Sequence, residues 1–178
     1  MKEVEVKAKV DNLDALKEKL VQMGCVFSEP LVQKDKIYLH KSMKFSDMGR
    51  GKVILRIRRS DDKATLNLKK QLENELDNIE EELVIDNAEA GTRILKYLDF
   101  DEVVRVSKRR TKGKLNDLKI CLDDVDELGT FIEVEKMTED EDSLKIQEEL
   151  FEFLESLGVK RESGVLKGYD TLIEEKMK

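Results

Sequence analysis

Charged and apolar residues alternate strictly at the start of the chain. Glu3, Glu5 and Lys7 fall on one side of an extended backbone, and Val4, Val6, Ala8 and Val10 fall on the other. A period of two marks a strand whose successive side chains point to opposite faces. The pattern returns downstream. Residues 53–59 set Leu55 and Ile57 against Arg56 and Arg58, and residues 65–69 set Leu66 and Leu68 against Thr65, Asn67 and Lys69. Asp61-Asp62 between them predicts a tight hairpin turn. Residues 79–85 place Glu80 and Glu82 opposite Ile79, Glu81, Leu83 and Ile85, and residues 104–110 bring Lys108 and Arg110 into step. Residues 31–40, 115–123 and 129–136 complete the predicted strands, the last carrying Phe131-Ile132-Glu133-Val134-Glu135.

Between the strands the apolar period changes to that of a helix. Asp11-Asn12 is a capping signal ahead of Leu13, Leu16, Leu20 and Met23, and Gly24 is a stop. Asn87 opens a short helix with Ile94, Leu95 and Leu98. From Asp142 a third helix turns Leu144, Leu150, Phe151, Leu154 and Leu157 inward and ends at Gly158, and residues 169–177 predict a fourth. The order strand, helix, several strands thus occurs twice, which suggests two related half-barrels within one domain spanning residues 1–178. No linker composition separates them. The polar stretch 41–52, with Gly49 and Gly51, reads as a surface loop or as a lid.

Composition narrows the function. The chain has 178 residues, and an apolar content of 39% suffices for a buried core, while scarce Pro and modest Gly argue against disorder despite 41% charged residues. A net charge of −7 and the absence of Trp argue against nucleic acid as the partner. Cys25 and Cys121 lack zinc or disulfide spacing, and no long apolar run or leader signal is seen, so a soluble, cytoplasmic chain away from the membrane is expected. His40 is the sole histidine, which leaves no nucleophilic triad, and no Walker-type glycine loop is present.

The candidate chemistry lies in pairs. Glu3 with Glu5, Glu80 with Glu82, and Glu133 with Glu135 are carboxylates at strand spacing, suited to a hard cation such as Mg²⁺ or Mn²⁺. Arg56 with Arg58, and Lys108 with Arg110, joined by Lys7 and Lys69, are cations of the kind that hold phosphate oxygens. Any one pair taken alone is more often a solvated strand face. Together they form like-charge clusters that a metal and a polyanion would neutralise, and a closed barrel would bring them into one lumen.

At this point the residues resemble a family. Glu3-Val4-Glu5-Val6-Lys7 is similar to the Glu-x-Glu-x-Lys signature of the CYTH superfamily, the triphosphate tunnel metalloenzymes, which include class IV adenylate cyclases and thiamine or inorganic triphosphatases. Leu55-Arg56-Ile57-Arg58, Thr65 to Lys69, Glu80-Glu81-Glu82, Val106 to Arg110, and Leu122-Asp123 followed by Leu128 to Glu135 resemble its later motifs in the same order. The resemblance implies an α+β fold: an eight-stranded antiparallel β tunnel with a charged lumen and helices packed outside. It implies Glu3, Glu5, Glu133 and Glu135 on a divalent metal, Mg²⁺ or Mn²⁺. Lys7, Arg56, Arg58, Lys69, Lys108 and Arg110 would hold phosphates, with Lys7 and Arg58 catalytic and Glu80, Glu82 and Asp123 as additional members. The implied partner is a small-molecule triphosphate, and a homodimer is compatible with it. Gln33-Lys34-Asp35 and Lys167 to Leu172 resemble the cyclase branch, although Ile37-Tyr38 stands where that branch has an aromatic pair and Gly168 where it has a small hydroxyl residue. Cyclisation of ATP is therefore the first expectation, hydrolysis of an inorganic or thiamine triphosphate the second, and binding without turnover the third.

Overall fold

The computed structural model describes residues 2–47, 49–61, 63–139 and 142–178. Its strands are β1 (Lys2–Lys9), β2 (Val26–Phe27), β3 (Leu31–His40), β4 (Val53–Ser60), β5 (Lys63–Gln71), β6 (Asp77–Ile85), β7 (Phe100–Leu115), β8 (Leu118–Val125) and β9 (Gly129–Thr138). The helices are α1 (Leu13–Gln22), α2 (Ala88–Tyr97), α3 (Ser143–Ser156) and α4 (Tyr169–Lys176). All strand pairings named here are antiparallel. The order β7-β3-β4-β5-β6-β1-β9-β8 closes on itself through β7–β8, giving an eight-stranded barrel with β2 added outside on β7.

The internal repeat is visible in this order. Mapping β1 onto β6, and β3, β4 and β5 onto β7, β8 and β9, reproduces every neighbour relation around the barrel. The halves do not stand apart as two units, because β1 lies between β6 and β9 while β6 pairs with β5. A short connection, residues 72–76, returns β6 antiparallel beside β5, which is the pairing a tight connection favours.

One other expectation shifts. The strand predicted from Leu115 starts at Leu118, because Asn116 takes a left-handed turn conformation (φ 54°) and Leu115 ends β7. Of the Asp61-Asp62 turn, Asp61 has φ 50°, and Asp62 lies outside the described residues.

The helices start where short polar side chains can accept a backbone N–H. Asn12 accepts from Ala15, Asn87 from Ala90 and Asp142 from Lys145. Gly24 follows α1 at φ 94°, a conformation that costs glycine little. Gly113 serves a different need: a Cβ there would lie 2.5 Å from the Phe27 ring, so β2 could not approach β7.

Outward residues make the core. Val4, Val6 and Ala8 pack with Leu16 and Leu20 of α1 and Ile146, Leu150 and Leu154 of α3. A second outer cluster joins Tyr38, Ile57 and Leu55 to Ala88 and Leu95 of α2. Helical spacing overstated this burial. Met23, Leu144, Ile94 and Leu98 are exposed, because a single layer of helices on the barrel buries only one stripe of each. Replacing Ile57, 2% exposed beneath α2, with Ala should cost roughly 2–5 kcal/mol. Thermal melting checks this, and an unchanged Tm would remove Ile57 from the core.

Candidate active site in the barrel lumen

The inward positions of the strands meet in one cavity of about 370 Å³. Register brings them together: Glu5 lies opposite Glu135 and Lys7 opposite Glu133 on β9, Cys121 opposite Glu133, and Arg110 opposite Asp123. On the other side Arg58 faces Asp35 and Thr65, and Lys69 faces Glu80. Glu3, Glu5, Lys7, Arg56, Arg58 and Lys69 line the cavity, as do Glu80, Glu82, Lys108, Arg110, Glu133 and Glu135. Asp123 sits behind the wall, fully buried, where it accepts from Arg110 Nε at 2.7 Å and from the Tyr169 hydroxyl at 2.9 Å.

The cavity has an inner and an outer end. Three helices lie on the outside of the barrel, but α4 places its first residue among the lumen groups. Its Tyr169 ring has Lys7 Nζ 4.1 Å from its centroid and Lys108 Nζ 4.8 Å away. Tyr169 and Ile173 pack with Ile37, Val106, Val125 and Phe131, so the lumen beyond the charges is filled with apolar side chains. Glu75 fixes this arrangement by accepting from Gly168 N at 2.7 Å and from Thr171 Oγ1 at 2.8 Å. Within the 41–52 connection, Phe45 packs against the same cluster, so this part of the loop is anchored beside α4. Exposure rises toward the other end: Lys7 is 2% exposed, whereas the Lys119 side chain is 48% exposed.

Each of the six sequence-predicted cations has a carboxylate within 4.0 Å, Lys108 through Asp123 at 3.7 Å. Arg58 donates from Nε and Nη2 to Asp35 at 2.8 and 2.7 Å, a bidentate pair, and Arg56 approaches Asp35 at 3.9 Å and Glu80 at 3.8 Å. Lys69 pairs with Glu80, Arg110 with Glu133 and Asp123, and Lys7 with Glu133 at 3.2 Å and Glu5 at 3.5 Å. Asp35, a member of the cyclase-like Gln33-Lys34-Asp35 segment, was not among the sequence-predicted site residues. Its alternation with Lys34 and Lys36 was the available signal. Lys112, Lys119, Cys121 and Asn67 were also missed, although each keeps the inward parity of its strand. For Tyr169 no period pointed inward.

Burial and charge set the protonation of these groups. Burial raises the Glu3 carboxyl to about 8, helped by Glu135 and Glu80, and raises Glu5 to about 7, helped by Glu133. Burial also pushes Asp35 up, yet Arg58 overrides it and holds Asp35 well below the usual carboxylate range. Glu133 is likewise held low by Arg110 and Lys7 against its burial. Burial brings Lys108 down to about 8, with Arg110 adding repulsion.

Oxygens of Glu3, Glu5 and Glu135 lie within 4.8 Å of one another. This all-oxygen set, in which two carboxyls resist ionisation because they are buried and then because they crowd, fits a hard divalent cation. The Cys121 sulfur lies equally close to oxygens of Glu133 and Glu135, a second group that is not all-oxygen. Glu133 is also committed to Lys7 and Arg110, so it bridges the carboxylates and the cations.

A pH dependence of stability follows. Between the unfolded value of 4.5 and about 7–8, the folded chain binds more protons at Glu5 and Glu3 than the unfolded chain does, so stability falls as pH rises through that window. Below it, the contributions of Asp35 and Glu133 are lost as pH falls, since their folded values are depressed. In EDTA the Tm should therefore decline from about pH 5 to 8. A flat profile there would contradict the crowding of Glu3 and Glu5.

A family model for the CYTH domain matches residues 1–169. A Methanocaldococcus jannaschii protein named "Putative adenylate cyclase" is 30% identical over 172 residues, covering 95% of this chain and 97% of its own. Among solved structures, a Pyrococcus horikoshii protein superposes with a TM-score of 0.80 at 27% identity, covering 96% of this chain and 98% of that one. A Hippeastrum protein, described as a "putative adenylyl cyclase" with a dominant triphosphatase activity, superposes with a TM-score of 0.65 at 18% identity over 100% of this chain and 97% of its own.

Proposed function

This chain belongs to the CYTH domain family, and we propose that it holds a triphosphate and a divalent cation in the barrel lumen and transfers a phosphoryl group, most directly as a class IV adenylate cyclase-like enzyme. The observation that carries this reading is the pairing within the lumen: Lys7, Arg58, Lys69 and Arg110, buried or half-buried, are each matched to a carboxylate. A triphosphate with Mg²⁺ or Mn²⁺ exchanges those partners, anion to cation and cation to anion, without leaving a buried charge alone.

When bound by Glu3, Glu5 and Glu135, the divalent ion supplies Lewis acidity and lowers the pKa of an oxygen nucleophile. Arg56, Arg58, Lys69, Lys108 and Arg110 grip phosphate oxygens and stabilise charge developing on the leaving group. Lys7, fixed by Glu5, Glu133 and the Lys167 carbonyl at 3.2 Å, orients the inner end of the phosphate chain. In the cyclase reaction the ribose 3′ oxygen bonds to the α-phosphorus, its proton is lost, and pyrophosphate leaves. Toward the open end, Thr65 donates to Asn67, which donates to Glu82 at 2.6 Å, and these groups can read a nucleoside by hydrogen bonding.

A second reading is hydrolysis, in which water attacks phosphorus and orthophosphate leaves. It is favoured by the cavity lining, whose one aromatic among the described residues, Tyr169, lies at the inner end, where no base can stack near the opening. Incubation with ATP, tripolyphosphate or thiamine triphosphate and Mg²⁺ or Mn²⁺, with product identification, separates the readings. Cyclic AMP with pyrophosphate supports the first and orthophosphate the second. No turnover of any of the three would leave only triphosphate binding.

A further inference from the structure

Behind the Asp35–Arg58 pair, on the outside of the barrel, lies a second cavity of about 520 Å³ between α2 and strands β3, β4 and β7. Alternation puts it there: Asp35 and Arg58 point into the lumen, so their neighbours Lys34, Lys36 and Arg59 point out. In register, Lys34 lies opposite Arg59 and Lys36 opposite Arg105. Like charges directly opposite on paired strands oppose folding.

Local carboxylates answer only part of this charge. Glu89 pairs with Arg59, and Glu102 is shared by Lys36 at 3.5 Å and Arg105 at 2.5 Å. Lys34, and Arg93 from α2, have no carboxylate within 4.0 Å among the described residues. The N-terminus of α2 adds its partial positive charge, since Ala88 and Glu89 line the same cavity. Ile57 and Ala88 supply an apolar floor. In a chain of net charge −7, this is a concentrated basic site with room for a small organic molecule.

We propose that this outer cavity binds a small organic phosphate, its phosphate held by Lys34, Lys36 and Arg93 and its ring seated on Ile57 and Ala88. The site is independent of the lumen reaction, although one segment of β3 serves both: Asp35 faces the lumen and its neighbours face the outer cavity.

Adenosine monophosphate is a suitable probe in an amide NMR titration of the full chain at low ionic strength in EDTA. Amides of α2 report the outer cavity alone, because α2 contributes nothing to the lumen. Saturable shifts at Ala88, Glu89, Thr92 and Arg93 are expected. The Lys34→Glu/Arg93→Glu variant should weaken them at least about tenfold, as two favourable charges become repulsive. Both positions are exposed, so the fold is retained. Lys69→Ala, a lumen change, should leave the α2 titration as in the wild type. Unmoved α2 amides, or a charge-reversal variant titrating like the wild type, would overturn the site. Inorganic phosphate, of similar charge but without a ring, should bind there more weakly than adenosine monophosphate, and equal affinity would overturn the role given to the apolar floor.

Discussion

Removal of divalent cation with EDTA should abolish turnover of any triphosphate, and added Mg²⁺ or Mn²⁺ should restore it. Glu3, Glu5 and Glu135 crowd their oxygens in the lumen wall, and a triphosphate would bring several further negative charges against them. Only a cation between the two sets reconciles those charges, and it also activates the attacking oxygen. Glu135→Gln should raise the cation concentration needed for half-maximal rate, because one anionic ligand is replaced by a neutral one. Full activity in excess EDTA would end the metal-assisted reading, and an unshifted cation dependence in Glu135→Gln would remove that residue from the cation site.

Arg58→Ala should lower turnover on the order of a hundredfold or more, the loss expected when one donor to developing phosphate charge is removed. Its effect on stability reverses what charge alternation by itself suggests. A lumen crowded with cations invites the expectation that removing one relieves repulsion and stabilises the fold. The structure instead shows Arg58 in a bidentate pair with Asp35, a side chain 4% exposed, so truncation leaves a buried carboxylate with only Arg56 at 3.9 Å. Breaking a buried pair of this kind costs roughly 3–5 kcal/mol. Adding Asp35→Asn should recover much of the Tm and none of the activity, which separates the structural role from the chemical one. If Arg58→Ala changed neither rate nor Tm, Arg58 would be a solvated strand residue and the lumen assignment would fail. Excess triphosphate with Mg²⁺ should raise the Tm of the wild type by mass action and that of Arg58→Ala much less.

Alternation with a period of two decides, within each strand, which residues share a face, and that is a local property of the extended backbone. It was therefore legible that Glu3, Glu5 and Lys7 stand together, that Arg56 and Arg58 do, and that Val4, Val6, Leu55 and Ile57 belong to the opposite, core-forming side. Helix starts were legible for the same reason, since Asn12, Asn87 and Asp142 act on backbone groups three residues away. Even the repeated order of elements could be read, because it needs no contact at all.

Closure could not be read in this way. Whether a charged face meets water or a lumen depends on β7 pairing with both β3 and β8, and on β1 lying between β6 and β9, pairings between segments as much as about 130 residues apart that no local period encodes. The partner of each charge is settled by the same register, which is why Asp35 emerged as the anchor of Arg58 and why Glu133 joins the carboxylates to the cations. The inner end of the lumen was further from reach. Tyr169 opens a short helix of weak period, and only the chain's return from α3 sets its ring beneath Lys7 and Lys108 and its hydroxyl on Asp123. The set of charges and the side each one takes are local and follow from alternation along single strands. Which charges meet, how deeply they are buried and which end of the lumen is filled follow instead from long-range pairing and packing.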